Sequence, residues 1–237
     1  MRTILHKADT RGHANHGWLD TYHTFSFANY YDPERIHFGA LRVLNDDYVA
    51  EGKGFGTHPH DNMEIVSIPL EGDLEHKDSM GHIQTIHYGD IQVMSAGTGI
   101  YHSEYNKNTH KPVKFLQIWI FPHTEDVEPR YGQVTLNLEE RKNKLHQFIS
   151  PRPKEDELWL HQEAWMNIGI FDKGKTDEYT IQRNGNGVYV FIIKGSFTVE
   201  DERLDPRDGM GVWETDKIKF TAETDDAEIL LIDVPMK

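Results

Sequence analysis

The sequence predicts an all-β protein made of two similar barrel or sandwich domains. Short apolar stretches of strand length recur along the 237 residues between Gly and Pro turns, and no sustained helical periodicity accompanies them. The chain also repeats itself: residues 190–197 (VFIIKGSF) echo residues 65–74 (IVSIPLEGDL), and residues 207–213 echo residues 88–94. Repetition of this kind indicates a duplicated domain.

Composition limits the functions open to this chain. The formal net charge of −14 argues against a non-specific grip on nucleic acid, which needs clustered Lys and Arg. The absence of cysteine excludes disulfides, thiolate ligands and a cysteine nucleophile. No run resembles a signal-peptide core or reaches the ~20 apolar residues of a membrane span. We therefore expect a cytoplasmic monomer without membrane or direct nucleic-acid contacts.

Taken in order, residues 1–50 are rich in aromatic side chains, and the alternation in residues 22–27 (YHTFSF) predicts a strand. These aromatics suit either the core or a pocket for a flat ligand, with the core favoured for any one of them. Residues 38–122 alternate short strands with turns, which is typical of a jelly roll. Residues 123–165 carry Pro and charge and predict a surface connector. We place the domain boundary near residue 140, with an N-terminal domain at 1–140 and a C-terminal domain at 141–237.

Two short runs in the N-terminal domain carry the candidate chemistry, residues 52–60 (GKGFGTHPH) and residues 97–106 (GTGIYHSEYN). Residues two apart on a strand point to the same face, so His58 and His60 form one inward pair and His102 and Glu104 another. Three imidazoles and a carboxylate suit a divalent first-row metal. Such a set leaves coordination positions open, which favours catalysis or sensing over a closed structural site.

Other titratable residues compete with this set. By strand parity, Glu64 lies on the same face as the His-x-His pair, so the residue pattern leaves it open as a ligand. His76 and His87 flank hairpin turns, and we expect both to be solvated. His13 and His16 lie outside any predicted metal-binding strand.

The second repeat lacks the metal-binding pattern. Alignment on the shared glycines places Ile181 opposite His58 and Arg183 opposite His60, and no histidine follows His161. An imidazole site cannot be built from these residues. We therefore predict one metal per chain, in the N-terminal domain.

Both runs resemble the motifs of the cupin superfamily. The first motif is matched by Gly52, His58-x-His60 and Glu64, although Gly72 comes one residue later than usual. The second motif is looser, since Ser95-Ala-Gly97 replaces Pro-x-Gly and four residues instead of two precede His102, whereas Gly89 and Asn106 fit. The pirin family shares these departures, and the chain resembles that family over nearly its whole length. Further resemblance lies in residues 11–18 (RGHANHGW), 23–33 (HTFSFANYYDP) and 41–47 (LRVLNDD).

Within that family the chain is most similar to bacterial pirin-like quercetin 2,3-dioxygenases. The resemblance implies a bicupin, in which quercetin binds at the metal through its 3-hydroxyl region, dioxygen adds and the heterocyclic ring opens with loss of carbon monoxide. It assigns the carboxylate ligand to Glu104 and leaves Glu64 as a supporting group, so Glu104 is also the candidate catalytic base. We expect one metal at His58, His60, His102 and Glu104, with Fe(II) favoured and Cu, Ni, Mn, Co or Zn as alternatives.

A second hypothesis is a regulatory binding protein. Members of the pirin family are also described as metal-containing regulators that act through protein partners, and the same site would then sense the redox state of the metal. A purely structural double cupin is a weaker interpretation because it leaves the retained ligands unexplained. The expected partners are a flavonol and dioxygen in the first case and a protein in the second.

Overall fold

The computed structural model describes residues 1–237 and consists of strands joined by turns, with two short 3-10 helices. The strands of the first half are β1 Arg2–His6, β2 Gly12–Asn15, β3 Leu19–His23, β4 Leu41–Val49, β5 Gly54–His60, β6 Glu64–Glu71, β7 Leu74–Asp78, β8 Ile83–Ile86, β9 Asp90–Ser95, β10 Ile100–Asn106, β11 Val113–Ile120 and β12 Arg130–Thr135. Those of the second half are β13 His146–Ile149, β14 Trp165–Phe171, β15 Thr176–Thr180, β16 Asn186–Lys194, β17 Phe197–Val199, β18 Glu202–Leu204, β19 Gly209–Trp213, β20 Lys217–Ala222 and β21 Ala227–Pro235. The 3-10 helices, Ala8–Thr10 and Leu138–Arg141, are too short to cross a membrane, and no other helix exists that could.

Four antiparallel sheets form two lobes of like topology. The N-terminal lobe pairs a seven-stranded sheet, β12-β9-β6-β11-β4-β3-β2, with a four-stranded sheet, β5-β10-β7-β8. The C-terminal lobe pairs a six-stranded sheet, β1-β19-β16-β21-β14-β13, with a four-stranded sheet, β15-β20-β17-β18. The central order β9-β6-β11-β4 recurs as β19-β16-β21-β14. The predicted all-β duplication is therefore confirmed.

Edge strands complete the large sheet of each lobe, and one of them comes from the other end of the chain. Strand β1 pairs with β19, so the first residues of the chain extend the sheet of the C-terminal lobe. Strand β12 pairs with β9 of the N-terminal lobe. Residues 123–165, predicted as a surface connector, thus contain two strands, β12 and β13. Edge strands pair through one side only and need little apolar periodicity. The proline-rich and charged composition of this segment therefore did not indicate strands. The boundary near residue 140 stays a prediction.

The largest apolar core lies between the lobes. It comprises 26 buried residues, most of them from the two large sheets and the others from connecting segments such as residues 24–40 and 158–164. On β16 the strand alternation is explicit: Tyr189, Phe191 and Ile193 belong to this shared core, whereas Val190 and Ile192 face the interior of the C-terminal lobe. Each large sheet is consequently covered on both faces, and the two lobes pack as one unit.

Residues 24–40 form a loop in place of the strand predicted from the alternation at residues 22–27. Strand β3 ends at His23, and a bridge between Phe27 and Tyr30 closes a tight turn. The Arg42 guanidinium holds this loop by donating to the carbonyl oxygens of Ser26 at 2.7 Å and Ile36 at 3.0 Å. These tertiary hydrogen bonds favour a loop although the alternation at residues 22–27 favours a strand. The loop forms one wall of the cavity described below.

Candidate metal centre

The three histidines are positioned by a pair of neighbouring strands in the small N-terminal sheet. His102 on β10 lies directly opposite His58 on β5. Strand β5 is an edge strand, so Pro59 between the two β5 histidines costs no ladder hydrogen bond. A register shift between His102 and Glu104 inserts an extra residue in β5, and a bulge of this kind re-aims side chains near a site.

A glycine permits the close approach of these two strands. A Cβ atom on Gly54 would lie 2.2 Å from the carbonyl oxygen of Glu104 and 2.5 Å from the Cα atom of Tyr105. Any side chain there would push β5 away from β10. Gly54 is therefore a packing requirement of the site.

The imidazole rings of His58, His60 and His102 converge on one point. Their centroids are separated by 4.9 Å for His58–His60, 4.4 Å for His58–His102 and 4.8 Å for His60–His102. One ring nitrogen from each lies within 4.8 Å of the others. Metal–nitrogen bonds of about 2.0–2.1 Å would bring these atoms roughly 3–3.5 Å apart, which needs only small ring rotations.

The protonation of these rings fits a metal ligand. The His58 Nδ1–H group donates to the Gly56 carbonyl oxygen at 2.7 Å, which leaves the Nε2 lone pair free. Burial, helped by the neighbouring His102 and His58 rings, lowers the pKa of His60 to about 4. Burial, with His58 and His76 nearby, lowers the pKa of His102 to about 3. The rings of His60 and His102 are thus neutral near pH 7, as metal binding requires.

His102 gives the clearest sign of a missing partner. Its side chain is buried, and neither ring nitrogen has a hydrogen-bond partner. Buried polar atoms are rarely left in that state. A metal ion bound by the three histidines would satisfy one of the two nitrogens.

Glu104 lies beside the three-histidine cluster and outside it. Its carboxylate is buried and accepts two hydrogen bonds, from Ser67 Oγ at 3.2 Å and from Gln117 Nε2 at 2.7 Å. Both donors lie on neighbouring strands of the large sheet. They hold the carboxylate in an acceptor role at the edge of the cavity that His58 and His60 line.

Glu64, the competing carboxylate, is engaged elsewhere. One of its oxygens accepts from Ser95 Oγ at 2.7 Å, and the other lies 3.0 Å from His161 Nδ1 in the interlobe segment. It does not line the cavity of His58 and His60. Strand parity alone could not separate the two carboxylates, whereas their tertiary partners do.

A cavity of about 520 Å³ opens beside the cluster. This volume lies within the range of small-molecule sites. Aromatic side chains form much of its wall, namely Phe27, Tyr30, Phe55 and Trp119. The Trp119 ring stands edge-on to Phe27 at 5.3 Å and to His60 at 4.9 Å. Of the aromatics in residues 1–50, Phe27 and Tyr30 thus line the cavity, while Phe25 and Phe38 belong to the core.

The cavity also has a polar floor that sequence reasoning missed. It consists of inward-facing side chains of the large sheet, namely Thr21, His23, Asn45, Asp47 and Gln117. The signal was present, because Thr21-x-His23 and Asn45-x-Asp47 show the same two-residue period as the histidine pairs. None of these residues forms a familiar ligand motif, so the sequence alone does not identify them as part of a cavity.

Asp47 is the unusual member of this floor. Its side chain is buried and accepts a hydrogen bond from Thr21 Oγ1. Burial, with the charges of Glu104 and Asp46 adding to it, raises the pKa of Asp47 to about 7. The metal-free cavity therefore holds a carboxyl group that exchanges its proton near neutral pH.

The remaining histidines divide between surface, cavity and interior. His87 is largely exposed, as predicted. His13 and His16 stand apart from the three-histidine cluster but line the cavity. The prediction for His76 is wrong: it is fully buried, 5.4 Å from the His102 ring, because β7 pairs with β10. The hairpin signal beside it gave no information about that partner strand.

Comparison with known proteins shows which family the chain is related to. The Pirin family model matches residues 5–120, and the model of the quercetinase C-terminal cupin domain matches residues 147–234. The quercetin 2,3-dioxygenase of Escherichia coli K12 is 42% identical over 231 residues, which cover 98% of both chains. The chain belongs to the pirin family. A pirin-like protein of Caulobacter vibrioides is 38% identical over 95% of this chain and 96% of its own.

Solved structures of the pirin family agree with the fold. The crystal structure of the Escherichia coli pirin YhhW in complex with nickel(II) superposes with a TM-score of 0.93, at 41% identity and with 99% of each chain covered. The bicupin expectation is therefore confirmed. A nickel complex of this relative and the histidine cluster of this chain together indicate a divalent metal site.

Proposed function

We propose that this member of the pirin family is a metal-dependent quercetin 2,3-dioxygenase that opens the heterocyclic ring of flavonols with release of carbon monoxide. The observation that carries the proposal is the convergence of three histidines, with a buried carboxylate beside them, at the wall of an aromatic-lined cavity. Full-length similarity to a protein named quercetin 2,3-dioxygenase supports it.

The proposed ligands are His58, His60, His102 and Glu104. Fe(II) is our first choice of metal, with Ni, Cu, Mn, Co and Zn as alternatives. When bound, such a metal supplies a Lewis-acid centre that lowers the pKa of a coordinated oxygen. The convergent ring nitrogens of the three imidazoles and the acceptor role of Glu104 fit such a metal.

Glu104 is the proposed base. Ser67 and Gln117 hold its two oxygens in fixed positions, so the carboxylate needs little reorganisation to accept the proton of the flavonol 3-hydroxyl group. A general base must lie within hydrogen-bond reach of the proton that it takes. The position of Glu104 at the cavity edge, next to His58 and His60, meets that condition for a substrate seated at the histidines.

The aromatic walls suit a flat, hydroxylated substrate. Phe27, Phe55 and Trp119 offer ring faces and edges for stacking. The polar floor offers acceptors for hydroxyl groups of the substrate. A flavonol has both features, a planar ring system and several hydroxyl groups.

The test is turnover of quercetin by the metal-loaded enzyme, with dioxygen consumption and carbon monoxide release measured together. We expect dioxygen consumption and carbon monoxide release each to be proportional to the quercetin consumed. Metal-loaded enzyme that consumes no dioxygen with any flavonol of a panel would contradict the proposal. Metal-dependent capture of a protein partner under those conditions would instead favour the regulatory hypothesis.

A further inference from the structure

His76 has a buried position and no role in the site described so far. It is 0% exposed, lies opposite Glu104 in the pairing of β7 with β10, and is not a member of the three-histidine cluster. Its Nδ1 atom is buried without a hydrogen-bond partner. A buried imidazole with an orphaned nitrogen next to a metal site requires an explanation.

Asp78 determines where the His76 proton lies. The Asp78 Oδ1 atom accepts from the backbone N–H groups of Met80 at 2.9 Å and His82 at 3.1 Å, and its Oδ2 atom lies 3.0 Å from His76 Nε2. Burial opposes ionisation, but hydrogen bonds from His76 and His82 hold the pKa of Asp78 below its usual value. An ionised carboxylate only accepts, so Nε2 carries the proton that faces Asp78, and a His76 ring with a single proton has its lone pair on Nδ1.

His102 supplies the matching donor. A metal takes the lone pair of one His102 nitrogen, and the other nitrogen then carries the proton. That N–H group also has no partner in the structure. The His76 and His102 ring centroids are 5.4 Å apart with the planes tilted by 48°, so the two orphaned groups belong to adjacent rings.

We propose that His76 is a positioning residue for the metal ligand His102: its Nδ1 atom accepts the His102 N–H group, and Asp78 holds it in the required tautomer. The contact is open in the structure and closes as His102 rotates onto the metal. The chain from Asp78 through His76 to His102 then orients the ligand and increases its basicity, as outer partners of metal-bound histidines do. This inference rests on the proposed metal site.

Nuclear magnetic resonance tests the contact directly. Protein labelled with 15N-histidine and loaded with Zn(II), a diamagnetic probe, should show a nitrogen–nitrogen coupling across the hydrogen bond between His102 and His76. It should also show a proton on His76 Nε2 and none on Nδ1. A proton on His76 Nδ1, or a His102 N–H group without coupling to His76, would overturn the proposal.

Substitutions test the consequence for metal affinity. His76→Phe keeps an aromatic ring but removes both the donor and the acceptor, and we expect the affinity for Ni(II) to fall about 10-fold to 100-fold. His76→Gln keeps an amide oxygen and an amide N–H group, so most of the affinity should return. The measurement is competition with a chromophoric chelator, on protein whose fold is verified by circular dichroism.

His82→Gln is the matched control, because a glutamine amide can still donate to the Asp78 carboxylate that the His82 ring contacts, and the ring that adjoins His102 is that of His76. It should bind Ni(II) as the unaltered protein does. Equal affinities for His76→Phe and His82→Gln would refute the positioning role while leaving the proposed metal site intact. Failure of the unaltered protein to bind Ni(II) would refute both.

Asp78→Asn keeps the test available should His76→Phe not fold. The amide oxygen would retain the backbone donors of Met80 and His82, and the amide N–H group would then face His76 Nε2. That arrangement moves the His76 proton to Nδ1, where it opposes the His102 N–H group. We expect a loss of Ni(II) affinity of about 10-fold to 100-fold, and unchanged affinity would contradict the proposed tautomer.

Discussion

The N-terminal and C-terminal lobes share a strand order but fill their interiors differently. The C-terminal interior holds one cluster of 16 buried apolar residues. The N-terminal interior holds two separate clusters, of six and four. Between them lie the three histidines and the polar floor of the cavity. One sandwich is packed for stability and the other is kept open.

Cross-strand pairs on the central strands illustrate this difference between the two interiors. In the C-terminal lobe Ile192 on β16 lies opposite Ile229 on β21, and both belong to the interior cluster. The corresponding strands of the N-terminal lobe place Ser67 opposite Gln117, and both donate to Glu104. Apolar contacts in the C-terminal lobe thus correspond to hydrogen bonds that hold a buried carboxylate in the N-terminal lobe. The 26-residue core between the lobes supports both sandwiches.

The largest expected effect comes from removing the β5 histidines. His58→Ala combined with His60→Ala should reduce bound metal to background, because only His102 of the converging imidazoles remains. The C-terminal counterpart, Ile181→Ala with Arg183→Ala, should keep about one metal per chain. Elemental analysis of the purified proteins measures both. A second tight equivalent that survives the histidine substitutions would mean that the lobes differ less than we infer.

The carboxylates give the next largest effect. Glu104→Gln keeps the size of the side chain but removes the proposed base, so quercetin turnover should fall by at least about 100-fold at matched metal occupancy. Glu64→Gln should be milder than Glu104→Gln, with a loss of about 10-fold to 100-fold, since its partners Ser95 and His161 do not line the cavity. Steady-state turnover rates of the metal-reloaded variants distinguish the roles of the two carboxylates. Loss of turnover in Glu64→Gln alone would reassign the carboxylate ligand.

Core substitutions sharpen the comparison of packing. Ile192→Ala opens a cavity in the continuous C-terminal interior and should lower the free energy of unfolding by about 2–5 kcal/mol. Ser67→Ala in the N-terminal lobe removes one hydrogen bond to Glu104 and should lower it by about 1 kcal/mol. Urea unfolding of the metal-free proteins measures both changes. Equal losses would show that the N-terminal interior is packed as tightly as the C-terminal one.

The remaining expected effect concerns the pH dependence of stability. Because the pKa of Asp47 is raised to about 7, the folded metal-free protein keeps this proton at pH 5 while the unfolded chain has lost it. Stability should therefore fall as the pH rises through 7, by about 1–3 kcal/mol between pH 5 and pH 8. Asp47→Asn has no proton to lose, and its free energy of unfolding should change less over this range.

Asp233 of the C-terminal lobe is the control for that prediction. It is also buried, and burial raises its pKa, but it accepts hydrogen bonds from Tyr179 Oη, the Gln182 backbone N–H group and Asn186 Nδ2. Asp233→Asn would turn an amide N–H group toward at least one of these donors. It should destabilise the protein at every pH, and a stabilising effect at pH 8 would argue that the two carboxyl groups do not differ in role.

Sequence reasoning identified the features that depend on local order. Strand lengths, turn glycines and two-residue periods predicted an all-β duplication, and the same parity brought His58, His60 and His102 to one face. The absence of the corresponding histidines from the second repeat could also be read directly from the sequence. These properties follow from the alternation of side chains along a single strand, which requires no knowledge of its neighbours.

Tertiary structure decided everything that depends on which strands meet. The pairing of β7 with β10 buried His76, and the pairing of β1 with β19 attached the first residues to the other lobe. The partners of Glu64 and Glu104 separated two carboxylates that parity left equivalent. Strand parity fixes the face on which a side chain lies, but non-local pairing fixes what that face meets, and burial, pKa and hydrogen bonding all depend on the latter.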